Sequence, residues 1–268
     1  MLSPKKRKHP MNPIAIQNLR AAGFHLGTWL SLGSPVIAEL AGLCGFDWLL
    51  IDLEHGAVGE SALFASLQAL RGSRSAVIVR VGAPHPDLIQ RALDWGADGI
   101  MVPHVDTVEQ ARVAVRAARF TPHGTRGFSR SVRALDYGMA QEPPSAAPLV
   151  LAQIESVAAV SHADDLAAVE GIDVLFVGPA DLSFELKATG APLAYTECLR
   201  RVAEAARAAG KQAGILNRNA QDAAALHAQG YTVQAIDSDL AILRQRYRDL
   251  VSGFSATPEK RQPDQPAR

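Results

Sequence analysis

The chain has 268 residues, of which 48% are apolar and 20% are charged, and its formal net charge is zero. This length suits one domain with a large core, and the balanced charge gives no general attraction for nucleic acid or for an anionic membrane. Two cysteines, Cys44 and Cys198, are too few for a disulfide framework. No apolar stretch approaches the roughly 20 residues of a membrane span, and no signal peptide is evident. We therefore expect a cytoplasmic protein that binds neither nucleic acid nor membrane.

Short apolar runs alternate with helical patterns along the chain. We predict strands near 25–32, 47–54, 75–81, 99–105, 148–155, 173–179, 212–217 and 232–237. Helices are predicted near 34–44, 60–72, 86–95, 107–119, 157–169, 196–209, 219–229 and 239–252. Continuously apolar strands that alternate with helices indicate a parallel sheet covered by helices. Eight such pairs in a chain of this size favour a closed (β/α)₈ TIM barrel over an open, doubly wound sheet.

Local signals support several of these helix boundaries. Ser34-Pro35 predicts an N-cap followed by proline at the first helical position. Thr107 and Gln110 have the spacing of a capping box. Four glycines follow predicted helices where a left-handed residue is expected, namely Gly45, Gly96, Gly210 and Gly230.

The two ends of the chain lack periodic patterns. Lys5-Lys6-Arg7-Lys8 resembles a nuclear-localisation patch, although a solvated tail is the plainer interpretation. We predict a flexible tail and lead-in over 1–22, a single barrel domain over 23–254 and a flexible tail over 255–268. No Gly-x-Gly-x-x-Gly follows the first strand and no Walker A sequence occurs, which weakens the dinucleotide-binding and NTPase interpretations.

Polar side chains lie where the predicted strands end, which is the end of a TIM barrel that carries the active site. They are Trp29, Asp52, Glu54, His55, Arg80, His104, Gln153, Glu155, Asp181, Asn217 and Asp237. A charged group at the end of a buried strand is costly unless something pairs with it. We therefore expect several of these groups to converge on one site.

Two carboxylates, Glu155 and Asp181, end neighbouring predicted strands. Without His or Cys nearby in sequence, they would form a hard oxygen site that suits Mg²⁺ or Mn²⁺. The alternative is that both are paired with arginines.

Three further residues are candidates for proton transfer or anion binding. His55 suits a general base, or it is a loop histidine bonded to a backbone carbonyl. Arg80 suits a carboxylate or a developing enolate oxygen, or it pairs with Asp52 or Glu54, and both can hold together. His104 is a weaker candidate than His55.

Lysine is informative by its absence. The lysines are at positions 5, 6, 8, 187, 211 and 260, and none of them ends a predicted strand. A Schiff-base mechanism needs a positioned, desolvated lysine. We therefore expect no Schiff-base lysine, and a metal is the better electron sink for carbonyl chemistry in this barrel.

Five segments carry a recognisable combination of residues: Phe46-Asp-Trp-Leu-Leu-Ile-Asp-Leu-Glu-His-Gly56, Gln153-Ile-Glu155, Phe176-Val-Gly-Pro-Ala-Asp-Leu-Ser183, Gly27-Thr-Trp-Leu30 and Gly124-Thr-Arg-Gly127. They resemble motifs of the HpcH/HpaI aldolase family. The similarity runs from about Gly23 to Phe254. It implies a (β/α)₈ barrel and a class II aldolase that acts on pyruvate-derived 2-oxo acids.

The resemblance also implies roles for individual residues. Glu155 and Asp181 would bind the metal with support from Gln153, and Arg80, beside Asp52, would stabilise the enolate. His55 would form a proton-relay dyad with Asp94, which by itself is an ordinary residue at a helix end. The implied substrate-binding residues are Trp29, Arg80, Gln153, Gly178, Pro179, Ala180 and Asp181. Leu53 stands where some family members have glycine, which leaves the acceptor specificity open.

The resemblance implies a lyase that reversibly cleaves 4-hydroxy-2-oxo acids to pyruvate, or a close 2-oxo acid, and an aldehyde through a metal-stabilised enolate. The metal would be Mg²⁺, Mn²⁺ or Co²⁺. The enzyme would be a homo-oligomer, a hexamer by resemblance, and would act in aromatic compound catabolism. One alternative is a CoA-thioester carbon–carbon lyase of the citrate-lyase-β or malyl-CoA type, for which Arg130 and Arg133 would have to bind phosphates. The other is a non-catalytic binding protein on a barrel scaffold.

Overall fold

A computed structural model describes residues 11–140, 142 and 145–255 of the chain. Its eight parallel strands close into a barrel in the order β1 to β8, because β1 pairs with both β2 and β8. The strands are β1 His25–Leu30, β2 Trp48–Asp52, β3 Ala76–Arg80, β4 Gly99–Val102, β5 Leu149–Ile154, β6 Val174–Val177, β7 Gln212–Asn217 and β8 Tyr231–Ser238. The predicted (β/α)₈ barrel is confirmed.

Helices cover the outside of the barrel between successive strands. The α-helices are α1 Pro13–Arg20, α2 Pro35–Leu43, α3 Glu60–Ala69, α4 Pro86–Asp94, α5 Val108–Ala118, α6 Val157–Ser161, α7 Ala163–Ala167, α8 Pro179–Thr189, α9 Tyr195–Ala208, α10 Ala223–Ala228 and α11 Asp239–Ser255. Short 3-10 segments lie at Arg133–Gly138 and Ala220–Asp222. None of the helices in the described part of the chain combines the length and the apolar character that a membrane crossing demands.

The strands are continuously apolar because both of their faces are buried. Trp48 and Leu50 of β2 pack inside the barrel with Ile78 and Phe176, whereas Leu49 and Ile51 face the helices. Successive strand side chains point to opposite faces, so two cores share each strand. This arrangement accounts for the apolar runs from which the strands were predicted.

The local signals predicted at helix ends also form as expected. The Ser34 hydroxyl accepts the Ile37 N–H at 3.4 Å, and Thr107 and Gln110 make a reciprocal capping box. The four glycines expected to be left-handed all have positive φ, with values of 91° at Gly45, 94° at Gly96, 65° at Gly210 and 102° at Gly230.

Helix α1 was not predicted and lies within the segment assigned as a lead-in. Asn12 caps this helix by accepting the Ala15 N–H at 3.2 Å, and Ile16 and Leu19 are buried beneath the barrel interior. Asp98 accepts the backbone N–H groups of Asn12 and Val77. Burial raises the pKa of Asp98 to about 7, and these two hydrogen bonds only partly oppose the shift. The helix thus closes the amino-terminal end of the barrel.

The second helix that was not predicted, α8, changes the position of Asp181. The strand predicted to reach residue 179 ends at Val177, and Asp181 lies in the first turn of α8. Pro179 explains the boundary, because proline is favoured at the first position of a helix. Lys187 also lies in α8 and does not end a strand. The basic residues 5–8 and the segment 256–268 lie outside the described residues.

The packing of α1 can be tested by removing one buried side chain. We expect Ile16→Ala to lower the free energy of unfolding by about 2–5 kcal/mol, the usual cost of truncating a buried isoleucine. Ile14 on the same helix is 70% exposed, whereas Ile16 is 0% exposed. Ile14→Ala is therefore the matched control and should cost less than about 0.5 kcal/mol. Urea unfolding followed by circular dichroism measures both values, and equal losses would mean that α1 does not pack as described.

Candidate functional site

Arg80 is buried at the carboxyl end of the barrel between two carboxylates. It pairs in register with Asp52 of the neighbouring strand, and its Nε and Nη2 donate to the two Asp52 oxygens at 2.8 and 2.7 Å. Its Nη1 lies 2.8 Å from Glu54 Oε2, an ion pair without hydrogen-bond geometry. The three side chains are 8%, 3% and 7% exposed. The pairing considered for Arg80 from the sequence is therefore present with both acids.

Asp52 is held in its charged form by this pair. Burial acts to raise the pKa of Asp52, but the hydrogen bonds and charge of Arg80 outweigh it, with help from the N–H groups of Glu54 and His55. The net result is a pKa below the ordinary value of 3.8. Arg80 and Asp52 thus form a fixed charge pair at the floor of the site.

A second cluster links Glu155 to Glu54 through His104. Glu155 Oε1 accepts the backbone N–H of His104 at 2.7 Å and lies 3.0 Å from the His104 Nδ1. The His104 Nε2 lies 3.1 Å from Glu54 Oε1. Gln153 donates its side-chain amide to the other Glu155 oxygen. Ligand atoms of Glu54, His104 and Glu155 all lie within 4.8 Å of one another.

The electrostatics around Glu155 favour a cation. Burial raises the pKa of Glu155, His104 lowers it, and the charges of Glu54 and Asp181 raise it further. Carboxylates in a buried site repel one another unless positive charge lies between them. The carboxylates of Glu54, Glu155 and Asp181 and the His104 imidazole form a donor set that would suit a divalent cation.

His104 contributes more to the site than the sequence indicated. It has a positive φ of 53°, which is uncommon for a residue other than glycine. This conformation turns both its N–H and its ring toward Glu155. The motif Val102-Pro103-His104 places a histidine just after a strand, but the backbone conformation that aims it is not visible in the sequence.

A cavity of about 220 Å³ opens beside Arg80. Its lining includes the predicted residues Trp29, Asp52, His55, Arg80, Gln153, Gly178, Pro179, Ala180 and Asp181, together with Ser31, Phe176, Val177, Leu216, Arg218, Ser238 and Leu240. The Trp29 ring stacks against Arg80, with 5.3 Å between Cζ and the ring centroid. The residues predicted to bind substrate therefore all line one opening. Arg218 was not among the candidates.

His55 and Asp94 lie apart in this chain. His55 is at the cavity with a side chain that is 65% exposed, and its Nε2 is 4.0 Å from Glu54 Oε1. Asp94 ends α4, which runs back toward the amino ends of the strands, and its carboxylate accepts from Arg126 at 2.6 Å. The dyad expected from the resemblance does not form within one chain, because the two residues lie at opposite ends of the barrel.

Known proteins resemble this chain over most of its length. The family model described as HpcH/HpaI aldolase/citrate lyase matches residues 25–245. A 2-dehydro-3,6-dideoxy-6-sulfogluconate aldolase of Pseudomonas putida is 38% identical over 84% of this chain and 91% of its own. A 5-keto-4-deoxy-D-glucarate aldolase of Escherichia coli K12 is 37% identical over 88% of this chain and 94% of its own.

Solved structures agree with the fold. An HpcH/HpaI aldolase/citrate lyase family protein from Burkholderia cenocepacia superposes with a TM-score of 0.84 at 33% identity, covering 91% of this chain and 100% of its own. The matched segment contains the complete barrel and the charged residues at its carboxyl end. The chain is therefore a carbon–carbon lyase that belongs to the HpcH/HpaI aldolase/citrate lyase family.

Proposed function

We propose that this enzyme is a class II, divalent-metal-dependent aldolase that reversibly cleaves 4-hydroxy-2-oxo acids to pyruvate, or a close 2-oxo acid, and an aldehyde. The observation that carries the proposal is the buried Arg80, held by Asp52 and Glu54 beside a cavity that Asp181 also lines. The named relatives act on a keto-deoxy-glucarate and on a dideoxy-sulfogluconate, which makes keto-deoxy sugar acids the substrate class to test first. A cytoplasmic homohexamer in aromatic compound catabolism belongs to the same proposal and rests on the resemblance alone.

In this proposal Glu155 and Asp181 bind the divalent metal, with Glu54 and His104 as the nearest further donors. The fit rests on two observations: Glu155 is buried, and Asp181 is close enough for its negative charge to raise the pKa of Glu155. A divalent cation between the two carboxylates would relieve this repulsion. When bound, a divalent cation would supply Lewis-acid polarisation of the 2-oxo acid and positive charge for the enolate. Mg²⁺, Mn²⁺ and Co²⁺ all suit this largely oxygen donor set.

Arg80 is suited to donate a hydrogen bond to the substrate oxygen that becomes negative. Nε donates its single N–H to Asp52, and Nη2 donates one of its two N–H groups to the same carboxylate. Nη1 has one contact without hydrogen-bond geometry and a long one of 3.5 Å to Gln153, so it is the nitrogen that the protein engages least. A preorganised donor of this kind stabilises developing charge without reorganisation during the reaction.

The start of α8 would hold the substrate carboxylate. Backbone N–H groups at a helix N-terminus attract anions, and Ala180 and Asp181 lie in that first turn at the cavity. A Cβ at Gly178 would lie 2.6 Å from Glu155 Oε2, so glycine lets the chain pass close to the acid. This approach brings the helix start and Glu155 to the same place.

His55 is assigned as the base that takes the proton of the substrate 4-hydroxyl group. As that proton leaves, the C3–C4 bond breaks and the aldehyde is released. The electron pair of the broken bond passes into the pyruvate enolate, to which Arg80 would donate a hydrogen bond. Protonation of C3 completes pyruvate, and the reverse sequence is an aldol addition. The acid that pairs with the His55 imidazole is Glu54, with 4.0 Å between Nε2 and Oε1, so Glu54 rather than Asp94 would orient the imidazole within one chain.

The CoA-thioester alternative is weakened by Arg133. This residue was a candidate for binding the CoA phosphates, but it is 3% exposed and donates to the backbone carbonyls of Trp95 and Leu67. An arginine held in this way is not available to a phosphate group.

The aldolase proposal predicts metal-dependent release of pyruvate from 4-hydroxy-2-oxo acids. We expect activity with added Mg²⁺, Mn²⁺ or Co²⁺ and none after treatment with EDTA, because the enolate then lacks its main counter-charge. A coupled lactate dehydrogenase assay measures the pyruvate. Failure of folded enzyme to release pyruvate from any substrate of the panel with any of these metals would refute the proposal.

The assigned metal ligands predict which variants bind Mn²⁺ weakly. Glu155→Gln and Asp181→Asn should each raise the dissociation constant for Mn²⁺ by more than about tenfold, since loss of outer-shell partners alone has that effect. Isothermal titration calorimetry measures it, and Glu170→Gln, an exposed acid away from the cavity, is the control. Unchanged binding in Asp181→Asn with loss in His104→Ala would instead place the metal between Glu54, His104 and Glu155.

The Asp52–Arg80 pair predicts a pH-dependent contribution to stability. At pH 7 we expect Asp52→Asn to lower the free energy of unfolding by about 3 kcal/mol, since it leaves a buried charge with one partner fewer. The folded pKa of Asp52 is depressed, so this contribution is complete above the ordinary value of 3.8 and disappears as the pH falls through the lower folded value. Urea unfolding between pH 2 and about pH 7 follows the difference from wild type.

The control for this prediction is an exposed ion pair. Glu109 and Arg116 are 64% and 48% exposed, and Glu109→Gln should cost less than about 1 kcal/mol at any pH. A difference between wild type and Asp52→Asn that stays constant down to the lowest pH would contradict the assigned charge state of Asp52.

A further inference from the structure

Arg218 is a second arginine at the cavity, and the catalytic scheme above does not use it. It follows the last residue of β7 and lines the same cavity as Arg80. In the closed order of eight strands, β7 lies four strands from β3, on the opposite side of the barrel mouth. A substrate bound by its keto end at Arg80 would therefore direct its other end toward Arg218.

The two arginines differ in how strongly the protein engages them. The Arg80 side chain is 8% exposed and lies between two carboxylates, whereas the Arg218 side chain is 60% exposed. Among the described residues, its one ion pair is with Asp237, at 3.4 Å. A guanidinium has five N–H donors, so Arg218 retains most of its capacity to bind an anion.

A β-bulge positions Asp237 beside Arg218. Between the pairs Gly27–Ala235 and Trp29–Ser238, Thr28 of β1 stands opposite two residues of β8, Ile236 and Asp237. The Thr28 hydroxyl donates to the Ile236 carbonyl at 3.0 Å, and Asp237 takes a left-handed φ of 59°. Bulges next to active sites commonly redirect a side chain.

The redirected carboxylate faces the exit of β7. Asn217 pairs in register with Ile236, so the next residues along the two strands, Arg218 and Asp237, are neighbours. The contact of 3.4 Å is long for a charge-assisted hydrogen bond. It engages one N–H of Nη1 and leaves the other N–H donors of Arg218 to a ligand.

We infer that Arg218 is a specificity-determining residue that binds an anionic group, a carboxylate or a sulfonate, at the far end of the aldehyde. The inference rests on the proposed aldolase function. Arginine suits both groups because its planar fork makes paired hydrogen bonds to oxyanions. Asp52 is engaged by Arg80, and Asp181 is assigned to the metal, which leaves Arg218 to determine the charge preference at this side of the cavity.

The test compares three aldehydes of similar length as acceptors for pyruvate in the aldol addition, with metal present. They are succinate semialdehyde, 3-sulfopropanal and pentanal. In wild-type enzyme we expect kcat/KM to favour at least one anionic aldehyde over neutral pentanal. Arg218→Ala should raise the KM for that aldehyde about 10- to 100-fold, the usual effect of losing a hydrogen bond to a charged group. Its kcat, and both constants for pentanal, should remain close to wild type, since Arg218 would contact only the far end of the aldehyde.

Two further variants complete the experiment. Arg218→Lys keeps the charge and should restore part of the preference, and thermal unfolding establishes that each variant is folded. Arg207→Ala removes an exposed arginine in the last turn of α9, at the other end of the barrel, and should match wild type.

The outcomes separate the two claims. If Arg218→Ala raises KM for only one of the two anionic aldehydes, that aldehyde carries the preferred anion. If KM rises for both, Arg218 recognises negative charge alone. An equal loss for pentanal, or no loss for either anion, overturns the role of Arg218 while the aldolase function stands. Consumption of no pyruvate by wild-type enzyme with any of the three aldehydes would count against the aldolase proposal itself, and the inference would fall with it.

Discussion

A buried arginine between two carboxylates organises the carboxyl end of this barrel. Arg80 can lie buried at the floor of the site only because Asp52 neutralises it in register and Glu54 approaches from the following turn. Removing one partner from a buried ion pair leaves an uncompensated charge, which costs several kcal/mol. The same fixed geometry is what a catalytic donor needs, since its orientation is set before substrate arrives. Stability and proposed function therefore depend on one interaction.

Charge balance connects this pair to the rest of the site. Glu54 lies between Arg80 and His104, and His104 in turn contacts Glu155. The site thus changes from a neutralised pair on the β2–β3 side to an acid-rich region near β5 and α8. In the proposed function a divalent cation occupies the acid-rich side. Such a cation would supply positive charge for the enolate, and Arg80 would donate a hydrogen bond to it.

The sequence predicted those features that depend on local pattern or on neighbouring strands. Apolar runs located all eight strands because both strand faces are buried, and the caps at Ser34 and Thr107 form from contacts three residues apart. The closeness of Asp52 to Arg80 followed from the parallel order of their strands. Features that depend on a single backbone dihedral or on distant packing were not predicted: the turn that aims His104, the bulge that places Asp237, and the docking of α1. The His55–Asp94 dyad stays a prediction from the resemblance, since Asp94 ends α4 and does not meet His55 within one chain.

The central claim is that Arg80 and a divalent metal together stabilise a pyruvate enolate, and proton exchange on pyruvate tests it without any choice of aldehyde. Pyruvate is incubated in D₂O with enzyme and Mg²⁺, Mn²⁺ or Co²⁺, and mass spectrometry follows deuterium entering its methyl group. The account predicts exchange that requires both enzyme and metal, and a rate about 10²- to 10³-fold lower in Arg80→Ala, the usual effect of removing one electrostatic donor. Exchange no faster than with metal alone, or an undiminished rate in a folded Arg80→Ala variant, would contradict it.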